Sequence, residues 1–434
     1  MSSPRFWYTF ALWLLLPYAL LHLLWRARKQ PGYLRHIGER FGRYAVSSEK
    51  PVLWLHTVSV GETRAAATLV RELRARYPQH QILLTHTTPT GRAASEQLYG
   101  SDVLRVYLPY DYPFAVRRFL KHFRPQIGVL LETEVWFNLV HACARTDVPL
   151  LLLNARLSER SARRYARFPN LTRDGLNAVN LIAAQTVEDA SRLHRLCERD
   201  IVVMGNLKYD IEPPAAQLEL GRQLRARFDE HRPVFLAAST REGEEVLLLD
   251  ALHHADIPDL LTVIVPRHPQ RFEDVARLIS SHGLRMQRRS RDEAIAPETQ
   301  VVLGDSMGEM FAYYAACDIA FIGGSLLPLG GQNLIEAAAC GKPVLIGPHT
   351  FNFSQATELA IDCHAALRIQ DAHELINRLN LLLAHDNPAL VSMGQNALRF
   401  VTANQGATRR SVALIAKVLA PRDPVGSPVE SQPS

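Results

Sequence analysis

The sequence has few cysteines and lacks the short motifs of several common enzyme classes. Its five cysteines are odd in number and widely spaced, and no C-x-x-C pair occurs, so neither a disulfide framework nor a zinc ribbon is indicated. The absence of G-x-G-x-x-G and G-x-x-x-x-G-K-[ST] removes the usual signatures of dinucleotide enzymes and P-loop NTPases. The cysteine pattern favours a reducing compartment. The missing motifs mean that any enzymatic activity depends on residues outside those motifs.

The composition is that of an ordinary globular protein. The 434 residues are 47% hydrophobic and 21% charged, which excludes wholesale disorder and allows two or three domains. An excess of 49 Lys and Arg over 43 Asp and Glu gives a net charge of +6 and an isoelectric point near 9.1. This balance is compatible with nucleic acid, phosphorylated substrates and acidic membranes, and does not choose among them.

An uncharged apolar stretch runs from Phe6 to Trp25. About 20 apolar residues can span a bilayer, and the stretch exceeds the ~7–15 apolar residues of a signal-peptide core. We therefore expect residues 1–30 to form a retained membrane anchor rather than a cleaved signal peptide. Basic residues at 26, 28, 29 and 35 follow the stretch, and the positive-inside rule then predicts that the remaining chain lies in the cytoplasm. Because of Pro17, the helix either crosses the membrane or lies along its surface.

Short apolar runs alternate with helical segments along the rest of the chain, beginning with the strand VLWLH at 52–56. This alternation predicts parallel strands that are buried on both faces. The segment IEPPAA at 211–216 interrupts the pattern, and the alternation restarts after it. We expect an α/β fold of two Rossmann-like domains facing a cleft, at 31–210 and 211–420. The Pro- and Ser-rich tail at 421–434 is expected to be disordered.

Three residues of the first half follow strands, where ligands of doubly wound sheets bind. Glu62 lies in a first helical turn, where it can act as a general base or simply complement the helix dipole. Glu132 ends an apolar strand, so it is either functional or paired with a neighbouring arginine. Lys208 closes the last strand, where it either reaches an anionic group across the cleft or remains solvated.

Three segments of the second half end strands in the same way. The richest is a strand, glycine loop and helix from Asp318 to Ala337, in which the glycines and helix start either seat a phosphate or form ordinary tight turns. Arg267 suits a phosphate or carboxylate, with a solvated loop arginine as the alternative. Met307-Gly308-Glu309 starts a predicted helix, whose N–H groups either bind a phosphate or form a plain first turn.

A cluster of arginines occupies one stretch that contains only two acids. Such runs are usually solvated helix faces, but on a membrane-attached protein they can meet lipid phosphates. The cluster comprises Arg156, Arg160, Arg163, Arg164, Arg167 and Arg173.

Seven segments, in this order after an apolar N-terminus, resemble the 3-deoxy-D-manno-octulosonic acid (Kdo) transferase family. They are WLHTVSVGETRAA, LLETEVWFNL, NARLSERS, GNLKYD, VPRHPQRF, GDSMGEM and GGSLLPLGGQNLIEAAACGKPVLIGP. The last segment alone indicates only a GT-B glycosyltransferase, whereas the full set is specific. The resemblance covers roughly residues 1–415.

This resemblance implies a GT-B fold and transfer of Kdo from CMP-Kdo to the acylated, phosphorylated precursor of lipid A at the cytoplasmic face of the inner membrane. By motif, Glu62 matches the family's general base, while Glu132 and Lys208 match residues assigned to the transition state. The partners implied are CMP-Kdo, the lipid A precursor and inner-membrane lipids, without nucleic acid. The implied CMP-contacting residues are Pro266, Arg267, His268, Met307, Gly308, Glu309, Asn333, Leu334, Ile335 and Glu336.

We expect no cofactor and no metal ion, because no D-x-D acid pair occurs and the leaving group is a single phosphodiester-linked CMP. One alternative is a membrane-associated GT-B enzyme that uses a UDP-sugar. The other is a tethered nucleotide-binding or scaffold protein without catalysis, which the presence of Glu62, Glu132 and Glu336 disfavours.

Overall fold

The computed structural model describes residues 4–132, 135–384 and 387–420. The predicted disordered tail at 421–434 lies outside these residues. Within them the chain forms two units, the first comprising residues 4–210 with 405–420 and the second comprising 211–404. The predicted boundary at 210/211 therefore agrees with the structure, whereas residues 405–420 belong to the first unit and not, as predicted, to the second.

The first unit alternates strands and helices as the sequence predicts. Its elements are α1 (Pro4–Lys29), β1 (Val52–His56), α2 (Val60–Ala65), α3 (Ala67–Arg76), β2 (Gln81–His86), α4 (Pro89–Tyr99), β3 (Leu104–Tyr107), α5 (Pro113–Phe123), β4 (Pro125–Leu131), α6 (Phe137–Arg145), β5 (Leu150–Ala155), α7 (Glu159–Tyr165), α8 (Pro169–Asn177), β6 (Leu181–Ala184), α9 (Val187–His194) and β7 (Ile201–Val203).

The seven strands form one parallel sheet in the order β3-β2-β1-β4-β5-β6-β7. Side chains of a strand alternate between the two faces, and both faces of this sheet are covered. In β1, Trp54 packs into the core on one face while Leu53 and Leu55 pack into the core on the other. Burial on both faces explains why VLWLH is continuously apolar.

The second unit is built by the same rule around another seven-stranded parallel sheet. Its elements are α10 (Ala215–Phe228), β8 (Val234–Thr240), α11 (Glu244–Leu252), β9 (Leu261–Pro266), α12 (Phe272–Ser281), β10 (Met286–Arg288), β11 (Val301–Leu303), α13 (Met310–Ala316), β12 (Ile319–Ile322), α14 (Ile335–Ala339), β13 (Val344–Ile346), α15 (Ser354–Asp362), β14 (Ala366–Arg368), α16 (Ala372–Leu382) and α17 (Pro388–Asn404). The strand order is β10-β11-β9-β8-β12-β13-β14.

The last helix, α18 (Ala407–Leu419), returns to the first unit. The Asp210 carboxylate accepts hydrogen bonds from the N–H groups of Gly406, at 2.6 Å, and Thr408, so it caps the start of α18. Val412 and Ile415 then pack into the core on one face of the first sheet. The predicted boundary was wrong here because an amphipathic helix does not reveal from sequence which sheet will cover its apolar face.

Helix α1 belongs to the first unit and has one partly buried side. Partly or fully buried residues recur at helical spacing, from Tyr8 through Leu12, Leu16 and Leu20 to Leu23 and Ala27. The opposite face exposes large apolar side chains: Phe6, Trp7, Phe10, Trp13, Leu14, Leu15, Tyr18, Leu21, Leu24 and Trp25. Among the described residues, α1 is the one helix long and apolar enough to cross a membrane.

Polar contacts join the first half of α1 to the loop that follows β3 and to the start of α6. Tyr8 donates a hydrogen bond to the Asp111 carboxylate at 2.9 Å, and Thr9 donates one to the Asn138 side chain at 3.1 Å. Asp111 also accepts from the Asn138 and Leu139 N–H groups at the start of α6. Burial raises the pKa of Asp111 to about 6. Helix α1 therefore lies beside the carboxyl ends of the strands.

Candidate active site

The crevice of the first sheet lies between β1 and β4. These strands are neighbours, and the chain leaves them toward opposite edges of the sheet, with β2 and β3 beyond β1 and β5 to β7 beyond β4. Such a switch in strand order opens a crevice at the carboxyl ends, where doubly wound folds bind ligands. Glu62 follows β1 and Glu132 follows β4, so both predicted acids flank this crevice.

The Glu62 carboxylate is held in a reciprocal cap at the start of α2. Ser59 accepts a hydrogen bond from the Glu62 N–H group, while the carboxylate accepts from the Val58 N–H group at 2.7 Å and the Ser59 hydroxyl at 2.8 Å. This arrangement resembles a capping box, with the Val58 N–H group in the place of that of the N-cap residue Ser59. Glu62 is 9% exposed, and its orientation is set by these bonds. The structure therefore shows the capping role, and the role of general base stays a prediction.

The structure brings Glu132 and Lys208 together. The Lys208 ammonium lies 3.4 Å from the Glu132 carboxylate, so the partner of this acid is a lysine and not the arginine considered as an alternative. Glu132 has a φ of 62°, in the left-handed region that residues other than glycine rarely adopt. Such strain costs of order 1–3 kcal/mol and clusters at functional sites. This conformation supports a functional role for Glu132.

A network of amides, which the sequence analysis did not identify, positions Lys208. The Asn154 carbonyl oxygen accepts from the Gln185 side chain at 3.0 Å, and the Gln185 side-chain oxygen accepts from Asn206 at 3.0 Å. Asn206 in turn accepts from the Lys208 N–H group at 3.0 Å, and Asn154 accepts from that of Leu207 at 3.1 Å. The motifs NARLSERS and GNLKYD contain both asparagines, so the signal was present in the residues that carry the resemblance.

In the second unit, cationic side chains gather where β8 and β9 end. Arg241 follows β8, and Arg267, His268 and Arg271 follow β9. Arg267 is directed by a hydrogen bond to the Gln332 side chain at 3.3 Å, and Arg271 pairs with the buried Glu245 at 2.7 Å. Desolvation lowers the pKa of His268 below its ordinary value, and the three arginines lower it further. This concentration of positive charge suits an anionic group.

Several N–H groups of the glycine loop after β12 are hydrogen-bonded within the second unit. The buried Glu244 carboxylate accepts from the N–H groups of Gly324, Ser325 and Leu326 at 2.6 to 3.0 Å. The N–H groups of Gly323, Gly331 and Gln332 donate to backbone carbonyls of the unit. Six donors of the loop thus serve its own fold. The alternative of ordinary tight turns therefore describes these donors, whereas the phosphate seat expected at the helix start, from Asn333 to Glu336, stays a prediction.

The segment Met307-Gly308-Glu309 precedes a helix but does not begin it, since α13 starts at Met310. Glu309 pairs with Arg289 at 3.2 Å and accepts from the Ser306 hydroxyl at 2.6 Å. These contacts, rather than a helical turn, organise the segment. Gly308 has a φ of +83° and open space around its missing side chain, so a ligand can approach its backbone closely.

The predicted Asn333 to Glu336 segment also starts its helix later, at Ile335. Asn333 donates to the Glu336 carboxylate at 3.1 Å and accepts from the Ile335 N–H group. The side chains of Leu334 and Ile335 are buried in the core. Only Asn333 and Glu336 of this segment therefore present side chains for a ligand. Pro266, at the end of β9, is buried as well.

Comparison with known proteins decides the family. The family model described as 3-deoxy-D-manno-octulosonic-acid transferase (kdotransferase) matches residues 35–211. A 3-deoxy-D-manno-octulosonic acid transferase of Bordetella pertussis is 42% identical over 421 residues, which cover 93% of this chain and 97% of the relative. The chain belongs to the Kdo transferase family. Its members are glycosyltransferases, as the sequence analysis predicted.

Two further likenesses are consistent with this assignment. The transferase of that name from Haemophilus influenzae strain Rd is 35% identical over 95% of this chain and 98% of its own length. A crystal structure of a glycosyltransferase from Rickettsia africae aligns with a TM-score of 0.57 at 15% identity, covering 86% of this chain and 99% of that one. This structural likeness concerns the fold alone, and it confirms the predicted GT-B class.

Replacing Lys208 with methionine should lower turnover without unfolding the first unit. A partly exposed ion pair contributes only ~0–1 kcal/mol to stability, whereas a positive charge beside a reacting group accounts for ~10²–10³ in rate. We expect Kdo transfer by Lys208→Met to fall ~100-fold with an unchanged thermal midpoint. Lys50→Met, an exposed lysine of the same unit, is the control. Full activity of Lys208→Met would exclude the predicted role.

An anion bound at the arginine cluster should raise the pKa of His268. The positive charges of Arg241, Arg267 and Arg271 oppose its protonation, and a phosphate would offset them. NMR titration of the full chain should show an imidazole pKa below its ordinary value alone and a higher one with CMP. The resonance is assigned by its loss in His268→Gln. His231, outside the cluster, is the internal control, and an unchanged His268 titration at saturating CMP would contradict binding here.

Proposed function

We propose that this chain is an inverting glycosyltransferase that transfers Kdo from CMP-Kdo to the acylated, phosphorylated glucosamine disaccharide precursor of lipid A, known as lipid IVA. The observation that carries the proposal is the grouping of Glu62, Glu132 and Lys208 around one sheet crevice in a member of the Kdo transferase family. Carboxylates suit removal of a proton from an acceptor hydroxyl, and a lysine suits stabilisation of developing negative charge.

On the acceptor side, Glu62 acts as the general base. As the acceptor hydroxyl attacks the anomeric carbon of Kdo, the carboxylate takes the hydroxyl proton. Because the carboxylate now accepts from Val58 and Ser59, the acceptor hydroxyl joins or replaces one of these bonds. The cap then serves catalysis by holding the carboxylate in one orientation before the substrate arrives.

On the donor side, CMP leaves with a single phosphate, whose negative charge develops as the glycosidic bond breaks. Arg241, Arg267 and Arg271 provide permanent positive charge near the ends of β8 and β9. We propose that these guanidinium groups stabilise that charge without a divalent ion. Pro266, Met307 and Leu334 contribute at most backbone groups or apolar contact to the nucleotide.

We propose that α1 holds the enzyme at the cytoplasmic face of the inner membrane by lying in the membrane surface rather than crossing it. Residues from Tyr8 to Ala27 contact one folded unit, whereas a spanning helix would carry one end ~30 Å away from it. The exposed apolar face would enter the lipid, as in interfacial helices. All six arginines of the sequence cluster are exposed, which suits contact with lipid phosphates.

Glu62→Gln should abolish Kdo transfer while preserving the fold. Glutamine can still form a capping box, so the thermal midpoint should stay within about 2 °C, whereas loss of a general base costs ~10²–10⁴ in rate. The assay supplies CMP-Kdo generated in situ and tetraacylated lipid A precursor in the presence of EDTA, with products followed by mass spectrometry.

The matched control is Glu72→Gln, at an exposed glutamate on the next helix, which should retain full activity. Full activity of Glu62→Gln would leave Glu62 as a cap only. Absence of product with folded wild type, even after addition of Mg²⁺, would refute the proposed reaction.

A reporter fused to the N-terminus should remain on the cytoplasmic side. Alkaline phosphatase needs disulfides and is active only in an oxidising compartment. If α1 lies in the membrane surface, phosphatase fused to either terminus should be inactive, and a fluorescent protein at either terminus should fluoresce. An active phosphatase at the N-terminus alone would show instead that α1 crosses the membrane.

A further inference from the structure

A cavity of about 760 Å³ lies between the first turns of α1 and the segment that joins α7 to α8. Trp7 and Ala11 line it from α1, and Phe168 and Leu171 line it from the α7–α8 side. Its volume falls within the ~300–1,000 Å³ of typical small-molecule sites. Trp7 and Phe168 are 58% and 66% exposed, so two large apolar rings of the cavity lining remain accessible to solvent.

The cavity is apolar in its walls and basic at two positions. The hydroxyl of Tyr8 is engaged by Asp111, and the Tyr8 ring packs edge-on against Phe137 at 5.2 Å, so Tyr8 presents mainly its ring. Arg164 and Arg167 also line the cavity, and both are exposed. An occupant that complements this lining combines a hydrocarbon part with negative charge.

The cavity lies near the acid that ends β4. Phe137, which lines it, begins α6 only five residues after Glu132. Five residues reach at most ~18 Å, so a lipid bound here can extend its head toward the crevice between β1 and β4. Asp111 accepts hydrogen bonds from Tyr8 and from the Asn138 side chain, and these bonds hold α1 in place as one wall of the cavity.

We propose that this cavity binds an acyl chain of the lipid acceptor, with Arg164 and Arg167 facing its phosphate. The proposal rests on the proposed function, since it names the binding site for one part of that acceptor. The cavity differs from a bilayer because the space it offers to an acyl chain is finite. The enzyme should therefore distinguish acceptors by acyl length, gaining about fourfold in affinity per methylene until the cavity is full.

The first test is photocrosslinking of the full-length protein in detergent micelles. The probe is the phosphorylated glucosamine disaccharide with a diazirine near the end of one acyl chain. We expect adducts at Phe168 or Leu171, which lie outside α1, and their loss on competition with unlabelled tetraacylated precursor. Adducts confined to the exposed face of α1, at Leu14 or Leu21, would overturn the proposal. Equal competition by phosphatidylglycerol would overturn it too, because the site would then be one for bilayer lipid.

The second test fills the cavity from α7. Ser161 lines it, so Ser161→Phe should raise KM for the tetraacylated acceptor at least tenfold while leaving kcat and all kinetics with the deacylated disaccharide unchanged. Ala166→Phe introduces the same ring at an exposed position outside the lining and should behave as wild type. Equal KM values for Ser161→Phe and wild type on the acylated acceptor would contradict the site.

These tests separate the cavity from the reaction. Crosslinking needs no turnover, so the cavity can be confirmed or refuted even if wild type transfers no Kdo. Conversely, transfer by wild type with unaltered acceptor kinetics in Ser161→Phe would keep the proposed function and remove the cavity as its acyl site.

Discussion

The parallel pairing of β1 with β4 is the constraint on which the first unit's site depends. In this pairing Leu55 lies opposite Val129, and the connections from the two strands leave toward opposite edges of the sheet. The crevice that results brings Glu62 and Glu132 to one edge although 70 residues separate them in the chain. The Asn154, Gln185 and Asn206 network can position Lys208 only because this sheet fixes the loops that carry it.

The second unit has the same kind of strand order, but the side chains that follow its strands are positively charged. Its sheet reverses between β8 and β12, and Arg241 and Arg267 follow strands on one side of that point. The buried Glu244 stabilises the glycine loop by accepting three of its N–H groups, even though burial raises the pKa of this carboxyl. A buried acid therefore supports the loop, while the partly exposed Arg241 and Arg267 lie where β8 and β9 end. One unit thus concentrates carboxylates, and the other concentrates guanidinium groups.

The sequence predicted features that depend on neighbouring residues better than features that depend on residues far apart in the chain. Strands such as VLWLH were predictable because burial on both faces leaves a local apolar run, whereas β3, β10 and β14, which are only partly buried strands at sheet edges, were not among the predicted strands. Glu62 was predictable as a cap or a base because Ser59 is a near neighbour. Glu244 was missed because its partners lie 80 to 82 residues away.

The sequence by itself determined the α/β alternation, the boundary at residue 211, the family and most of the candidate site, since each depends on local patterns or on motifs in order. Only the tertiary structure decided that α18 rejoins the first unit, that the glycine loop turns its N–H groups inward and that one stripe of α1 is covered. Helix α1 shows the physical reason. When every face of a helix is apolar, composition cannot choose the buried one, and the choice belongs to the surface against which the helix packs.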